Sequence, residues 1–305
     1  MEFLGVLQVI LLGIIEGITE WLPVSSTGHI ILFNYFYPSK LSTAFADMFE
    51  YVIQLAAILA VVVFFWKKLF PIGKENTLEN GNKLVWKKDV LSMWTKVIVA
   101  CVPAVCAIVV DKLFDNLSPF AETVVIACTL ILYGIVFIVI ESCFKKESKV
   151  KEISELSYKY AFFIGCFQLL AAIPGTSRSG ITIIGALLLG VSRTTAAEFT
   201  FFLAIPTMVG ASAYKFLKFF MDAGSFSGAE IGYLIIGSIV AFAVSLAVIK
   251  LLMDFVKKHD FKSSVGIVSC SADWSSPLWS SPPSSNQNKK FAAVIPKDSR
   301  GFCFI

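Results

Sequence analysis

Glu16-Gly-Ile-Thr-Glu20-Trp-Leu-Pro-Val-Ser-Ser26-Thr27-Gly28-His29 decides how the rest of the chain is read. Two carboxylates, several hydroxyls and an imidazole follow directly on an apolar run, Phe3 to Ile15, that suits lipid. Charged side chains at membrane depth are costly, so they are turned toward a cavity, paired, or used in chemistry. Glu16 and Glu20 are four positions apart and therefore share one face of a helix. Pro23 ends that helix, and Ser25, Ser26, Thr27 and Gly28 make a polar turn just beyond it.

Composition points the same way. Of 305 residues, 56% are hydrophobic and 16% charged, with a mean hydropathy of +0.76. A soluble domain carries roughly 45–50% apolar and about 25% charged residues, so an integral membrane protein is expected. Apolar blocks run Phe3 to Ile15, Phe49 to Trp66, Val97 to Val110, Phe120 to Ile140, Tyr160 to Leu189, Phe199 to Phe219 and Ile231 to Met253. Several approach the roughly 20 residues that a spanning helix needs. The start lacks the basic region and small-residue cleavage site of a signal peptide, so the first block is expected to stay in the mature protein.

The net charge of +4 matters less than its distribution. Lysines gather between Lys67 and Lys88, Lys145 and Lys151, and Lys250 and Lys262, and such loops are cytoplasmic. The connections Asp111 to Pro119 and Asp222 to Glu230 then lie outside, which leaves Lys215 and Lys218 awkwardly near the outer face. The seven cysteines show no metal-ligand spacing and read as small buried hydrophobes.

A second polar turn, Pro174-Gly-Thr-Ser177-Arg178-Ser179-Gly-Ile-Thr182, interrupts the apolar pattern. Its arginine stays charged and offers a planar fork of donors suited to phosphate oxygens. Backbone N–H groups of a Gly/Ser turn entering a helix would support the same anion. The two turns also reveal a faint repeat: Gly13-Ile-Ile-Glu16 resembles Gly165-Cys-Phe-Gln168, Pro23-Val-Ser-Ser26 resembles Pro174-Gly-Thr-Ser177, and a helix starting near Glu50 resembles one starting near Glu198. The fold expected is an all-α polytopic membrane protein, an inverted repeat with two re-entrant helical hairpins meeting near mid-membrane. A single domain, 1–262, would hold two halves, about 1–115 and 155–262. The Ser/Pro-rich stretch 263–305 reads as a polar, disordered or foreign tail in place of one more apolar helix.

These motifs resemble the two signatures of undecaprenyl-diphosphate phosphatase, the bacitracin-resistance family of bacterial membrane proteins. The likeness runs from residue 1 to about Lys262 and includes Gln54 and the run Gly190-Val-Ser-Arg193. It implies an enzyme that removes the terminal phosphate of undecaprenyl diphosphate, recycling the cell-wall lipid carrier with Mg²⁺ or another divalent cation such as Ca²⁺. It also implies a multi-pass protein of the bacterial plasma membrane whose site opens to the outer side. The expected partners are a polyprenyl diphosphate and membrane lipid, with no nucleic acid; the reading allows for a homodimer.

Residue by residue, Arg178 supplies a cation for the phosphates, with Ser177, Thr27, Ser179 and Thr182 as further phosphate-binding groups. Glu16 and Glu20 would repel a bare anion, so they make sense as ligands of a hard cation. Ser26 is the candidate nucleophile, activated by His29 or a glutamate, with a metal-held water as its competitor. Gln54, Glu50 and Glu198 stand as supporting groups, although Glu198 also reads as a partner of Arg193 across a turn. Ser25, Thr176 and Thr182 suit a structural role equally well. A transporter or flippase for a lipid phosphate would use the same inverted repeat and Arg178, but would not call for two carboxylates beside Ser26 and His29.

Overall fold

The computed structural model describes residues 2–39, 41–77, 81–107, 110, 114, 117–143, 148–223 and 225–257. The tail 263–305 lies outside the described residues. Ten α-helices occur among them: α1 Phe3–Thr19, α2 Ser26–Phe36, α3 Thr43–Phe64, α4 Trp66–Leu69, α5 Lys88–Cys101, α6 Pro119–Cys143, α7 Tyr158–Gln168, α8 Arg178–Leu188, α9 Arg193–Ala223 and α10 Gly228–Val256. Five helical stretches, Ala44–Phe64, Lys88–Cys106, Thr123–Ile140, Arg193–Met221 and Gly228–Val256, are long and apolar enough to cross a bilayer. The chain is an all-α polytopic membrane protein. An antiparallel hairpin of β1 Ile72–Thr77 and β2 Gly81–Trp86, with Ile72 opposite Trp86, occupies the lysine-rich connection between α4 and α5.

Arms that stop short of crossing explain the two broken segments. At 1.5 Å per residue the 17 residues of α1 reach ~25 Å and the 11 of α2, α7 and α8 ~16 Å, against about 30 Å of hydrocarbon. Their directions follow from their neighbours. A Cβ on Gly13 of α1 would meet the Gly237 carbonyl of α10 at 2.8 Å, and one on Gly17 would meet Ala241 at 2.9 Å, so the two helices run parallel. On α3, Phe45 packs against Phe226, while Phe49 and Ile53 abut Gly237, so α3 runs with them. In contrast α7 follows α5: Tyr158 meets Thr95, and a Cβ on Gly165 would lie 2.1 Å from the Ala100 carbonyl oxygen. Because α5 starts where α3 and α4 end, with Trp94 Nε1 donating to the Leu69 carbonyl, the two hairpins enter from opposite ends of the bundle.

One end gathers the lysines. Lys87 Nζ donates to the Lys67 carbonyl, Lys68 pairs with Glu198, and Thr195 Oγ1 donates to the Lys151 carbonyl. The connections 67–88 and 145–151 thus meet at one end of the bundle. Lys215, the misfit of that reading, is only 5% exposed: its Nζ lies 5.1 Å over the Tyr51 ring, with Asp47 and Glu50 as charged neighbours. It faces the bundle rather than the outer water.

Other expectations are corrected. The helices read as starting near Glu50 and Glu198 begin at Thr43 and Arg193, because Ser42 and the Gly190–Ser192 turn, not the acids, end the preceding loops. Trp21 sits in the core at 1% exposure, edge-on to Phe201 at 5.2 Å. Cys106 and Cys128 face outward, since in lipid an exposed apolar residue needs no burial.

Candidate active site

Two polar turns touch at the centre of the bundle. Each starts a helix whose first N–H groups lack internal partners. Ser25 caps α2 by accepting from Gly28 N at 3.4 Å, and Ser177 caps α8 by accepting from Gly180 N at 3.1 Å. Both helix N-termini therefore begin beside one cleft of about 440 Å³, lined by Ser25, Ser26 and Thr27 from one turn and Thr176, Ser177, Arg178 and Ser179 from the other. Thr19 and Glu20 of the first hairpin, Gln54 of α3, and Met208 and Ala211 of α9 complete the walls. The partial positive charge of two helix starts favours an anion there.

The turns differ by one residue. The correspondence of Pro23–Ser26 with Pro174–Ser177 sets Ser26 against Ser177, whereas the caps set Ser25 against Ser177. The extra residue goes with different backbone: the left-handed position is the cap Ser25 itself, φ 61°, in the first turn, and Gly175, φ 84°, in the second. A serine held there is strained and persists only where its surroundings impose it.

Glu20 joins the halves. One of its oxygens, Oε1, accepts from Arg178 Nη2, and the other, Oε2, accepts from Ser26 Oγ at 2.7 Å. Ser179 Oγ strengthens the junction by donating to the Glu20 carbonyl at 3.1 Å. Arg178 Nη1 also reaches Thr207 Oγ1 of α9 at 3.4 Å, while that hydroxyl bonds back to Leu203 and Ala204 carbonyls at 3.1 Å. Arg178 lacks an acidic neighbour in sequence, but it finds one across the repeat.

Glu16 lies one turn before Glu20 at 0% exposure, and neither of its oxygens has a hydrogen-bond partner among the described residues. Its charged neighbours are Glu20, Glu50 and Arg178. Two unsatisfied carboxylate oxygens in the interior are an expensive arrangement that a hard cation or a proton would relieve. Glu20 differs, because both its oxygens are engaged. No three His, Cys, Asp or Glu residues converge among the described residues, so a cation held here would rest on this pair and complete its shell with phosphate oxygens and water, as Mg²⁺ commonly does.

Not every residue named from sequence reaches the cleft. His29 Nδ1 donates to the Ser25 carbonyl at 2.8 Å, one helical turn back, and Ser26 gives its proton to Glu20. That bond leaves Nε2 as the acceptor nitrogen of His29. Thr182 spends its hydroxyl on the Arg178 and Ser179 carbonyls, at 2.9 and 3.2 Å, and does not line the cleft. Glu198 is held by Lys68 Nζ at 2.7 and 2.8 Å, ten positions before Met208 and thus ~15 Å along α9 from the cleft. It therefore supports the basic end of the bundle and not the site. Sequence reasoning missed Thr207 and Met208; the signal was a proline inside an apolar helix, Pro206, which marks irregular backbone followed at once by a polar side chain.

Two capped helix starts and an arginine–carboxylate–serine chain at the centre of a membrane bundle define a polytopic membrane protein built to handle an anionic group. The model of the family described as bacitracin resistance protein BacA matches residues 9–268, and the chain belongs to that family. It is 56% identical over 264 residues to a protein named undecaprenyl-diphosphatase from Enterococcus faecalis, covering 86% of this chain and 92% of the relative. Proteins of the same name from Lachnoclostridium phytofermentans and Desulfitobacterium hafniense are 55% and 54% identical, over 86% of this chain and 92% and 91% of theirs.

Proposed function

We infer that this chain hydrolyses undecaprenyl diphosphate to undecaprenyl phosphate and inorganic phosphate, recycling the cell-wall lipid carrier and conferring bacitracin resistance. The observation that carries the reading is the unbroken chain Arg178–Glu20–Ser26 inside a cleft fed by two helix N-termini. Binding alone needs the arginine and the N–H groups; it does not need a carboxylate on the hydroxyl.

Ser26 Oγ is the nucleophile. It attacks the terminal phosphorus, its proton passes to Glu20 Oε2, and the bond from phosphorus to the bridging oxygen breaks, releasing the lipid monophosphate. Glu20 hands that proton to the departing lipid monophosphate. Water then attacks the phosphorus of the serine phosphate, Glu20 takes the water's proton and returns it to Ser26 Oγ as the phosphorus–serine bond breaks, and inorganic phosphate departs. Arg178 and the N–H groups of the two capped turns hold the phosphoryl oxygens, and such preorganised donors supply most of the rate in phosphoryl transfer. Thr27 and Ser177 stand beside them on the cleft wall. A competing route uses water directly, with Ser26 as a hydrogen-bonding group.

Glu16 and Glu20 would hold a divalent cation, Mg²⁺ or Ca²⁺, whose charge offsets that of the diphosphate. The unsatisfied oxygens of Glu16 support this assignment. The cleft would open toward the outer side of the membrane, the side that the family resemblance implies. Phosphate release from farnesyl diphosphate by the purified protein in detergent tests the function. Hydrolysis without a sealed compartment is expected; a protein that only moved the lipid phosphate between leaflets would release none.

A further inference from the structure

We propose that α6 braces the two broken turns and that Thr129 is a positioning residue for Arg178, an inference that rests on the hydrolase reading. Most of α6 is lipid-facing, with Ile131, Leu132, Ile135 and Val139 at 50–55% exposure. Thr129 is its buried polar side chain among the described residues, and its Oγ1 lies 2.8 Å from the Pro174 carbonyl of the second turn. The same hydroxyl lies 2.9 Å from the Val125 and Ile126 carbonyls of its own helix, so its one proton is shared between the helix and the turn. In lipid a turn carbonyl must find a donor inside the protein, and Thr129 is the donor that Pro174 has.

The contact is tight. A Cβ on Gly175 would stand 2.4 Å from Thr129 Oγ1 and 2.7 Å from Ile126 Cα, so α6 lies directly on the turn. One residue further along α6, Leu130 lies 3.6 Å from the Cβ position of Gly28 in the first turn. α6 thus touches both tips at one level. From Pro174 the chain needs three residues to reach the cap Ser177, and the next is Arg178, whose fork meets Glu20. Releasing the Pro174 carbonyl lets that turn, and Arg178 with it, drift.

Thr129→Val keeps the shape and removes the hydroxyl, while Thr129→Ser keeps the hydroxyl. The expected result is a fall in kcat of roughly ten- to a hundredfold for Thr129→Val, the scale of a small misplacement at a reacting centre, with KM little changed and Thr129→Ser near wild type. Amide exchange over 173–180 should also quicken in Thr129→Val, a readout that does not depend on hydrolysis. Unchanged exchange, or equal kcat for wild type and Thr129→Val, would overturn the brace. A wild-type protein that releases no phosphate, yet shows the exchange difference, would overturn the hydrolase reading and leave the brace standing.

Discussion

Ser26 and Arg178 belong to opposite hairpins, and both are bonded to the same carboxylate, one to each oxygen of Glu20. The residue that would take the proton from the nucleophile is therefore positioned by the group that would bind its target. This relationship makes several outcomes predictable.

Glu20→Gln should lower kcat by about a hundred- to a thousandfold, within the range for loss of a general base. The amide still accepts from Ser26 but cannot take its proton. It also leaves the partly buried Arg178 without its counter-charge, which costs up to about 3 kcal/mol of stability, so thermal unfolding should be measured beside the rate. A stable Glu20→Gln protein with full kcat would remove Glu20 as the base.

Arg178→Lys should fail almost as badly as Arg178→Ala. The guanidinium serves Glu20, Thr207 and the phosphate together, and an ammonium lacks the fork to do so. Loss of such a preorganised donor costs about 3–4 kcal/mol, or a hundred- to a thousandfold in rate. Near-normal hydrolysis by well-folded Arg178→Lys would reduce the residue to a distant charge.

Chelation probes Glu16. EDTA should stop hydrolysis and Mg²⁺ should restore it, with Glu16→Gln raising the metal concentration required. Because the oxygens of Glu16 lack partners, the same substitution should not lower, and is expected to raise, the melting temperature of the metal-free protein. Full activity in EDTA would return both carboxylates to proton transfer alone.

Gly165→Ala tests packing rather than chemistry. The added methyl group would lie 2.1 Å from the Ala100 carbonyl oxygen, forcing α7 off α5. Overpacking of this kind costs about 1–3 kcal/mol, read as a lower melting temperature in detergent. An unchanged melting temperature would mean that the second hairpin is not seated on α5 as described.

The polar turns were legible in the sequence because lipid makes polarity conspicuous: Glu16, Glu20, Ser26 and Arg178 stood out against apolar flanks. What they bond to was not legible. The Glu20–Arg178 pair joins residues 158 positions apart, and the competition for Ser26 between His29 and Glu20 depends on which imidazole N–H the turn carbonyl already accepts. His29, at the right spacing, is engaged with the Ser25 carbonyl. Glu198 misled for a related reason, since its position in the repeat says nothing about Lys68 at the end of another helix. The β-hairpin between α4 and α5 has too little apolar alternation to announce itself.

The account turns on Ser26. Wild type and Ser26→Ala, each eluting as a single species in detergent, are compared for phosphate release from undecaprenyl diphosphate, and the wild type is quenched in acid after brief exposure to substrate labelled in its terminal phosphate. The account predicts rapid release by the wild type, loss of at least about a hundredfold in Ser26→Ala, and label on the peptide containing Ser26. Ser26→Ala hydrolysing at the wild-type rate would contradict it.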